Sequence, residues 1–404
     1  DNNFISVVEK RRFFLKIKKN NIQIFFISLF LCLGLFRICI FSNQTYRVYS
    51  FIVLSAIFSV VARNVKRIKR NRWAIIFGIV IAFSVIYQSL STTSLFNACT
   101  YFLEFTVPFL CVDYLCVRFG TKSTLKGFMY ASLLVCSVMD LSVLLGMDID
   151  KTHYQNLIKY LFGNKFMVAY LHMQTLGILA EYATLSRKLN NIKVYFALLS
   201  YGIYGMAICS YVNCATGIVG NLVVVTLLLL PISDTIKKTL SKPLTMMVVL
   251  LIANVLLIGS DVLLQIPFIQ NLITGILHKD LTLTGRFRIY AMLPDLFKNS
   301  FIIGYGYNSD IFAGLIGYGN AQNGILQYVL DCGIVGAITL IINWISSVIC
   351  IKNKERFSWP MICVIYGFII CSLVEVCFKL NFILVLSIIS GLRFIETKNF
   401  EDGK

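Results

Sequence analysis

Charged side chains are scarce in this sequence. They make up 14% of the 404 residues, whereas hydrophobic residues make up 58% and the mean hydropathy is +0.78. A soluble chain of this length would fold as two or three domains with charged surfaces. It could not bury this much apolar surface without lipid. The composition therefore argues against a soluble protein and predicts an all-α, polytopic integral membrane protein.

Several other features are missing. No cleavable signal peptide, lipidation motif, internal repeat, Gly/Ser linker or low-complexity tail is evident, which indicates a single helical domain over residues 1–404. The 13 cysteines lie almost entirely within apolar runs, and no CxxC pair has metal-site spacing. We therefore expect the cysteines to be small core residues rather than disulfides or metal ligands.

Acidic residues are also few, with 19 Asp and Glu against 37 Lys and Arg, which gives a net charge of +18. In a soluble protein this balance would indicate nucleic acid as a partner. Here the basic residues cluster at the ends of apolar runs, where the positive-inside bias places them on cytoplasmic turns. We therefore expect membrane lipid, and no nucleic acid, to be the partner of these charges.

The apolar runs have the length that crosses a bilayer, about 17–25 residues. They predict twelve spans, at 22–41, 46–62, 73–90, 95–117, 127–147, 166–185, 194–211, 217–233, 244–259, 325–350, 359–375 and 380–395. With the N-terminus inside, the inner turns carry 27 Lys and Arg and the outer loops carry nine. This split predicts a multi-pass plasma-membrane protein with both termini cytoplasmic and two long outer loops, 148–165 and 260–324.

The loop at 260–324 contains a predicted amphipathic helix from Arg286 to Asn299. Thr284 is placed to cap it, and Pro294 is expected to kink it. We expect its apolar stripe to lie among lipid headgroups. The stripe has helical three- and four-residue spacing and consists of Ile289, Met292, Leu293, Leu296 and Phe297.

Arg286 and Arg288 flank the start of this helix. Free backbone N–H groups at a helix N-terminus favour an anion, so the two guanidiniums would form a phosphate or diphosphate clamp. Each charge-assisted hydrogen bond contributes about 1.5–3 kcal/mol. The alternative is that both side chains contact only lipid headgroups or solvent. Joint action also requires the helix to begin near Gly285, because residues two apart point to different sides.

Two further polar features follow in the loop. The run Ile303-Gly304-Tyr305-Gly306-Tyr307 predicts a tight turn whose aromatic rings can stack on sugars. Gln322, Asn323, Gln327 and Asp331 place a polar stripe at the start of the tenth span. Such a stripe faces either water and substrate or hydrogen-bonding partners on other helices.

Four acidic residues fall inside predicted spans: Glu104, Asp113, Asp140 and Glu181. A charged residue at a span centre costs about 2.5–3.5 kcal/mol, so each is expected to face a partner or a cavity. Proton relay in a transporter is one interpretation. Contact between helices, or a position near a span end, is the interpretation we favour, because the acids are scattered singly and no Lys or Arg lies deep in the same spans.

The residues Thr284-Gly285-Arg286, Tyr290, Gly304-Tyr305-Gly306, Ala321-Gln322-Asn323-Gly324, Leu326-Gln327, Gly333 and Gly336 together resemble the signature of the O-antigen ligase and polymerase superfamily. More narrowly, they resemble Wzy-type capsular polysaccharide repeat-unit polymerases. The run Gly163-Asn164-Lys165-Phe166 is similar to a polar patch that these enzymes carry at an outer span end.

The resemblance implies an inverting glycosyltransferase at the outer membrane face. The growing glycan would leave an undecaprenyl diphosphate donor and join the non-reducing end of a new lipid-linked repeat. It implies no metal or other cofactor, since arginines would neutralise the leaving diphosphate. A flippase and a chain-length regulator are expected partners. Taken together, the residues and the resemblance give Arg286, Arg288, Gln322, Asn323 and Asp310 as candidate catalytic residues, and Tyr290, Tyr305, Tyr307, Gln327, Asn164 and Lys165 as candidate substrate-binding residues.

The sequence departs from the family pattern at two places. Gln322 stands where the family commonly has His and cannot act as a base, which leaves Asp310, Asp280, His278 or no strong base at all. The run 213–217 also lacks the cation that the family often carries at an outer span start. A flippase for lipid-linked oligosaccharides, a ligase of the same superfamily and a non-catalytic scaffold are the alternative functions.

Overall fold

A computed structural model describes residues 2–149, 158–189, 191–258, 286–309 and 320–395, with the backbone alone for 2–18, 257–258, 286–288, 291, 299 and 356. Within these ranges the fold is all-α, as predicted. The described helices are α1 Asn2–Leu35, α2 Asn43–Val61, α3 Val65–Arg70, α4 Arg72–Gln88, α5 Thr92–Phe119, α6 Thr121–Leu144, α7 Lys165–Leu185, α8 Ile192–Tyr211, α9 Ala215–Leu229, α10 Asp234–Leu240, α11 Pro243–Ile258, α12 Arg286–Ser300, α13 Gly324–Ile349, α14 Glu355–Ser372 and α15 Leu380–Gly391.

Several of these helices are long and apolar enough to cross a membrane. Among the described residues there are five, α2, α5, α6, α8 and α13, and a sixth if α10 and α11 form one span bent by 70°. The prediction of twelve spans is therefore wrong. The helical part of other apolar runs is shorter, as in Arg72–Gln88, Ala215–Leu229 and Leu380–Phe394.

Helix α7 is long enough to cross a membrane but is not apolar enough, unlike the predicted spans whose helices are too short. It has 21 residues, but His172, Gln174 and Glu181 lower its hydropathy. All three polar side chains are buried inside the bundle, together with most of the helix. Helices α5 and α15 are also interior, whereas α2 and α8 lie at the periphery and expose apolar side chains. Polar residues are thus tolerated in α7 because protein surrounds them.

The predicted amphipathic helix is confirmed as α12, Arg286–Ser300, with Pro294 inside it. The expectation that its apolar stripe faces lipid headgroups is wrong. Ile289 and Leu293 are buried against Ala321 and Leu330, so the stripe packs on the chain around the start of α13. Burying the stripe in protein removes its apolar surface from water, as contact with the headgroup region would have done.

The predicted glycine-rich turn crosses the backbone of α13. Gly333 breaks α13 with φ +66° and ψ −174°, and Gly304 has φ +79°. A Cβ on Gly333 would lie 2.0 Å from the carbonyl oxygen of Ile302. Backbone bonds join the segments, from Tyr305 N–H to the Leu330 carbonyl (2.7 Å) and from Ile334 N–H to the Phe301 carbonyl (2.8 Å). Only glycine permits this approach.

One end of the bundle, here called the arginine end, is held by Asp113 near the end of α5. Among the described residues, Arg67, Arg70 and Arg393 donate to its carboxylate at 2.7–3.1 Å, and Asn71 lies at 3.4 Å. The arginines belong to α3 and to the turn after α15, far from Asp113 in sequence. The expectation that this buried acid contacts other helices is confirmed.

Candidate functional site: a basic cavity at one end of the bundle

The opposite end of the bundle contains a cavity of about 570 Å³. It lies where α1 passes into α2, before the start of α7, in the turn 307–308 and between α14 and α15. A cavity of this size lies within the range of small-molecule sites. We call this the cavity end.

Among the described residues, four cations line the cavity: Arg37, Arg47, Lys159 and Lys379. Two carboxylates, Glu104 and Glu375, also line it, which leaves an excess of two positive charges. This excess of positive charge favours the binding of an anion, above all a multiply charged one, over a neutral ligand. The cavity is therefore suited to a polar, anionic molecule.

The arginines of the cavity differ in how their side chains are hydrogen-bonded to the protein. Arg47 donates to the Tyr101 hydroxyl at 2.7 Å, and its guanidinium lies 5.0 Å from the centre of that ring. The Nε of Arg37 is buried, and no hydrogen-bond partner for it is present among the described residues. A buried donor without a partner carries a desolvation cost of about 1–3 kcal/mol or more. An anion in the cavity would remove that cost.

Glu104 is the most buried of the charged groups that line the cavity, with 5% of its surface exposed. Its Oε1 accepts a hydrogen bond from Ser50 at 3.3 Å. This carboxylate lies on α5 and was expected from the sequence to face a partner or a cavity. It does both.

Tyr307, one of the predicted substrate-binding residues, lines the cavity at the edge of an aromatic cluster. Its ring makes edge contacts with Tyr101 (4.9 Å) and Phe105 (5.3 Å), and its N–H donates to Ser84. Burial raises the pKa of the Tyr307 phenol well above its ordinary value of 10, so the hydroxyl stays protonated. Tyr307 is thus a rigid wall residue that can present a neutral hydroxyl.

Asn164 and Lys165, the other predicted polar patch, part at the start of α7. Asn164 lines the cavity and caps the helix, accepting hydrogen bonds from the N–H groups of Phe166 (3.1 Å) and Met167 (3.4 Å). Lys165 turns away and donates to the carbonyl of Asn213 at 3.1 Å. The structure therefore brings Asn164, but not Lys165, to the cavity.

Tyr290 and Tyr305 lie outside the cavity lining. Both pack around the small core between α12 and α13. The Tyr305 hydroxyl donates to the Leu296 carbonyl at 2.6 Å, which fastens the turn to α12. These two rings stabilise the position of α12 in the structure.

The predicted polar stripe is used for contacts within the protein. Asn323 caps α13 by accepting from the N–H groups of residues 325 and 326, and its amide donates to Asn254 of α11 at 2.7 Å. Gln327 donates to Asp331 at 2.8 Å and accepts from the N–H of residue 321. Gln322 has φ +49° at the turn before the cap. The interpretation of the stripe as hydrogen bonds to other helices holds for Asn323, whereas Gln327 bonds within α13 and to the turn before it.

The residues predicted to bind the diphosphate and to act as the base have no described side chains. Arg286 and Arg288 are the first and third residues of α12, and their side chains lie outside the described part. Asp310 lies outside the described residues altogether, as do Asp280 and His278. Their catalytic roles remain predictions.

Sequence reasoning did not name Arg37, Arg47, Glu104 or Lys379 as site residues. A signal was present, since the charge count set Arg47, Lys159 and Lys379 on the outer side and left Arg37 inside a span. Those residues lie on segments too far apart in the sequence to form a motif. No cluster of metal-ligand side chains lines the cavity among the described residues; the one such group, Cys136, Asp140 and His172, lies between α6 and α7.

No protein-family model matches this sequence, and no curated protein is detectably similar to it.

Proposed function

We propose that this chain polymerises lipid-linked oligosaccharide repeat units at the outer face of the plasma membrane. It transfers the growing glycan from undecaprenyl diphosphate to the non-reducing end of a new lipid-linked repeat. The observation that carries the proposal is the basic cavity, with the unpartnered Nε of Arg37 buried in its wall. The signature-like residues between Thr284 and Gly336 supply the family to which the proposal appeals.

The position of the cavity fits a substrate that approaches from outside. The excess of Lys and Arg on the other turns predicts that the arginine end is cytoplasmic. The cavity end is then extracytoplasmic, where a flipped lipid-linked repeat presents its diphosphate near the headgroups. Helices that could span the membrane separate the two ends.

The leaving diphosphate is bound by the cavity cations. Arg37, Arg47 and Lys379 stabilise the negative charge that develops as the bond between the sugar C1 and the diphosphate oxygen breaks. The bonding electron pair leaves with the diphosphate. The acceptor hydroxyl attacks C1 from the opposite face, which inverts the configuration, and Arg286 and Arg288 at the start of α12 contribute further positive charge.

Glu104 is the group that accepts the hydroxyl proton. It is a carboxylate at the cavity wall, which Gln322 is not, and Ser50 fixes its orientation. This assignment supplies the base that the sequence motif lacks. Asn164 and Tyr307 provide neutral polar groups for the sugar hydroxyls.

A flippase for the same substrate is the second candidate, because it too would bind a diphosphate. A flippase needs a polar route between the two faces, whereas the arginine end is held by the Asp113 network. A ligase of the same superfamily shares the proposed donor chemistry and differs only in its acceptor. The acceptor is therefore what the experiment must vary.

The test compares glycan synthesis by the wild type with that of Arg47→Ala, Arg37→Ala and Glu104→Gln. The substrates are lipid-linked repeats in vesicles that contain the purified full-length protein, supplied alone or together with a lipid-A-type or protein acceptor. Loss of one charge-assisted contact of about 1.5–3 kcal/mol lowers the polymerisation rate about 10- to 150-fold. Arg63→Ala is the matched control, because Arg63 is exposed and bonds only to the carbonyl of residue 59 among the described groups.

The outcomes separate the candidate functions. Long glycans from the wild type, with single repeats from the variants, support the polymerase. Long glycans at wild-type rates from Arg37→Ala and Arg47→Ala contradict the role of the cavity. Movement of repeats across the vesicle without glycan growth identifies the flippase, and growth only on a lipid-A-type or protein acceptor identifies the ligase.

A further inference from the structure

A second polar cluster lies within the bundle, away from the cavity lining. Cys136 and Asp140 are one turn apart on α6, and His172 faces them from α7. All three are buried, with 0% of His172 exposed. One ligand atom from each lies within 4.8 Å of the other two. Sequence reasoning had assigned the cysteines to packing and Asp140 to contact between helices.

The three side chains already lie in hydrogen-bonding contact, close enough together to share one ion. His172 Nε2 lies 3.0 Å from Asp140 Oδ1, and Cys136 Sγ lies 3.6 Å from His172 Nδ1 and 3.9 Å from Nε2. In a tetrahedral zinc site the Zn–S bond is about 2.3 Å and the Zn–N and Zn–O bonds are about 2.0–2.2 Å. Neighbouring ligand atoms are then roughly 3.3–3.6 Å apart. With Nε2 as the ligand, shifts of a few tenths of an ångström in its distances to Oδ1 and Sγ would give this arrangement.

Helix α8 supplies the surrounding hydrogen bonds. The Tyr204 hydroxyl donates to Asp140 Oδ2 at 2.9 Å, so the oxygen Oδ1 is left to face His172. The Tyr201 hydroxyl donates to Cys136 Sγ at 3.3 Å. Gly205 permits the close approach, since a Cβ there would lie 3.2 Å from the imidazole. Such outer bonds orient metal ligands and are part of most metal sites.

The charges of the cluster match a divalent cation. A thiolate, a carboxylate and a neutral imidazole carry two negative charges, which a 2+ ion cancels where isolated charges are costly. One sulfur, one nitrogen and one oxygen ligand suit zinc better than magnesium or calcium, which require oxygen ligands. The alternative is a hydrogen-bonded group without metal, in which the imidazole donates to Asp140.

We propose that Cys136, Asp140 and His172 bind a zinc-class divalent cation. Binding releases the Cys136 thiol proton. The fourth position faces an opening of about 380 Å³ that Ser137 and Leu141 line together with Tyr201 and Tyr204, so that a water molecule or a small ligand completes the coordination. The bound ion fixes α7 against α6. It thereby also holds the part of the cavity wall that Met167 and Tyr170 of α7 form. The site is independent of the reaction proposed for that cavity.

The test uses the purified full-length protein, freed of metal and titrated with Zn²⁺ alone. The expected result is one tightly bound zinc per chain by elemental analysis. With Co²⁺ as the probe, the bound ion shows a thiolate-to-metal absorption band. Cys136→Ser abolishes the band and weakens binding at least 100-fold. Cys111→Ser removes another buried thiol, one that lies on α5, and keeps both.

A conservative variant separates metal binding from misfolding. Tyr204→Phe removes only the hydroxyl that orients Asp140, and it is expected to weaken zinc binding about 10- to 100-fold while the protein stays folded. Zinc also raises the unfolding midpoint of the wild type but not of Cys136→Ser. Failure of the wild type to bind zinc at a one-to-one ratio, or equal affinity in the wild type, Cys136→Ser and Tyr204→Phe, overturns the proposal.

Discussion

The crossing of the glycine-rich turn over α13 gives a prediction that depends on only a few atoms. Gly333 has φ +66° and ψ −174°, a region that essentially only glycine adopts, so an alanine there carries about 1–3 kcal/mol of backbone strain. Its Cβ would also lie 2.0 Å from the Ile302 carbonyl oxygen. Relieving that overlap costs about 1–3 kcal/mol more. Gly333→Ala is therefore expected to destabilise the protein by about 2–6 kcal/mol.

Gly146→Ala is the matched control. Gly146 also has a positive φ, +64°, but an added Cβ there would meet nothing within 4 Å. Its cost is the backbone strain alone, about 1–2 kcal/mol. The difference between the two variants gives the additional cost at the crossing, which is mainly the steric overlap.

Two measurements check this prediction. Thermal unfolding in detergent gives the order of stabilities, with Gly333→Ala below Gly146→Ala and both below the wild type. Hydrogen exchange locates the damage, because the N–H groups of Tyr305 and Ile334 donate across the crossing and should exchange faster in Gly333→Ala. Equal stability of the two variants, or unchanged exchange at the crossing, would refute the reasoning.

Two further predictions concern charged groups. Asp113→Asn leaves the arginine cluster without its carboxylate and should lower the free energy of unfolding by about 3–5 kcal/mol. The control is Asp234→Asn, at an exposed ion pair with an N–O distance of 4.0 Å, which should unfold like the wild type. Equal losses of stability in the two variants would contradict the role of burial. Lys298 lowers the pKa of the exposed Asp295 below 3.8, so their attraction is present above that pH and disappears as the pH falls further. The small difference in unfolding midpoint between the wild type and Asp295→Asn should therefore vanish in acid, and a difference that persists there would be inconsistent with this pair.

Periodicity in the sequence located individual helices well where the pattern was local. The predicted helix Arg286–Asn299 differs from the observed α12 by one residue. Spans were less well predicted, because hydropathy marks apolar runs without showing where helices end. In α7 a run of spanning length proved polar and interior, since neighbouring helices replace lipid around His172, Gln174 and Glu181.

The candidate site was predictable only in part. Asn164 and Tyr307 were expected at the site and line the cavity. Asn323 and Gln327 were also expected there, but their side chains are used in hydrogen bonds within the bundle. A polar residue at the start of a helix looks the same in sequence whether it binds substrate or caps the helix. Only its hydrogen-bond partners distinguish the two roles.

The sequence by itself determined that this chain is helical and apolar enough for several membrane spans, and it separated turns rich in Lys and Arg from loops that are poor in them. These properties follow from composition and from spacing within single segments. Only the tertiary structure decided that Arg37, Arg47 and Glu104 share one cavity, and that Cys136, Asp140 and His172 form one cluster. The reason is physical: side chains from different helices meet according to how those helices pack against each other, and no local pattern in the chain encodes that packing.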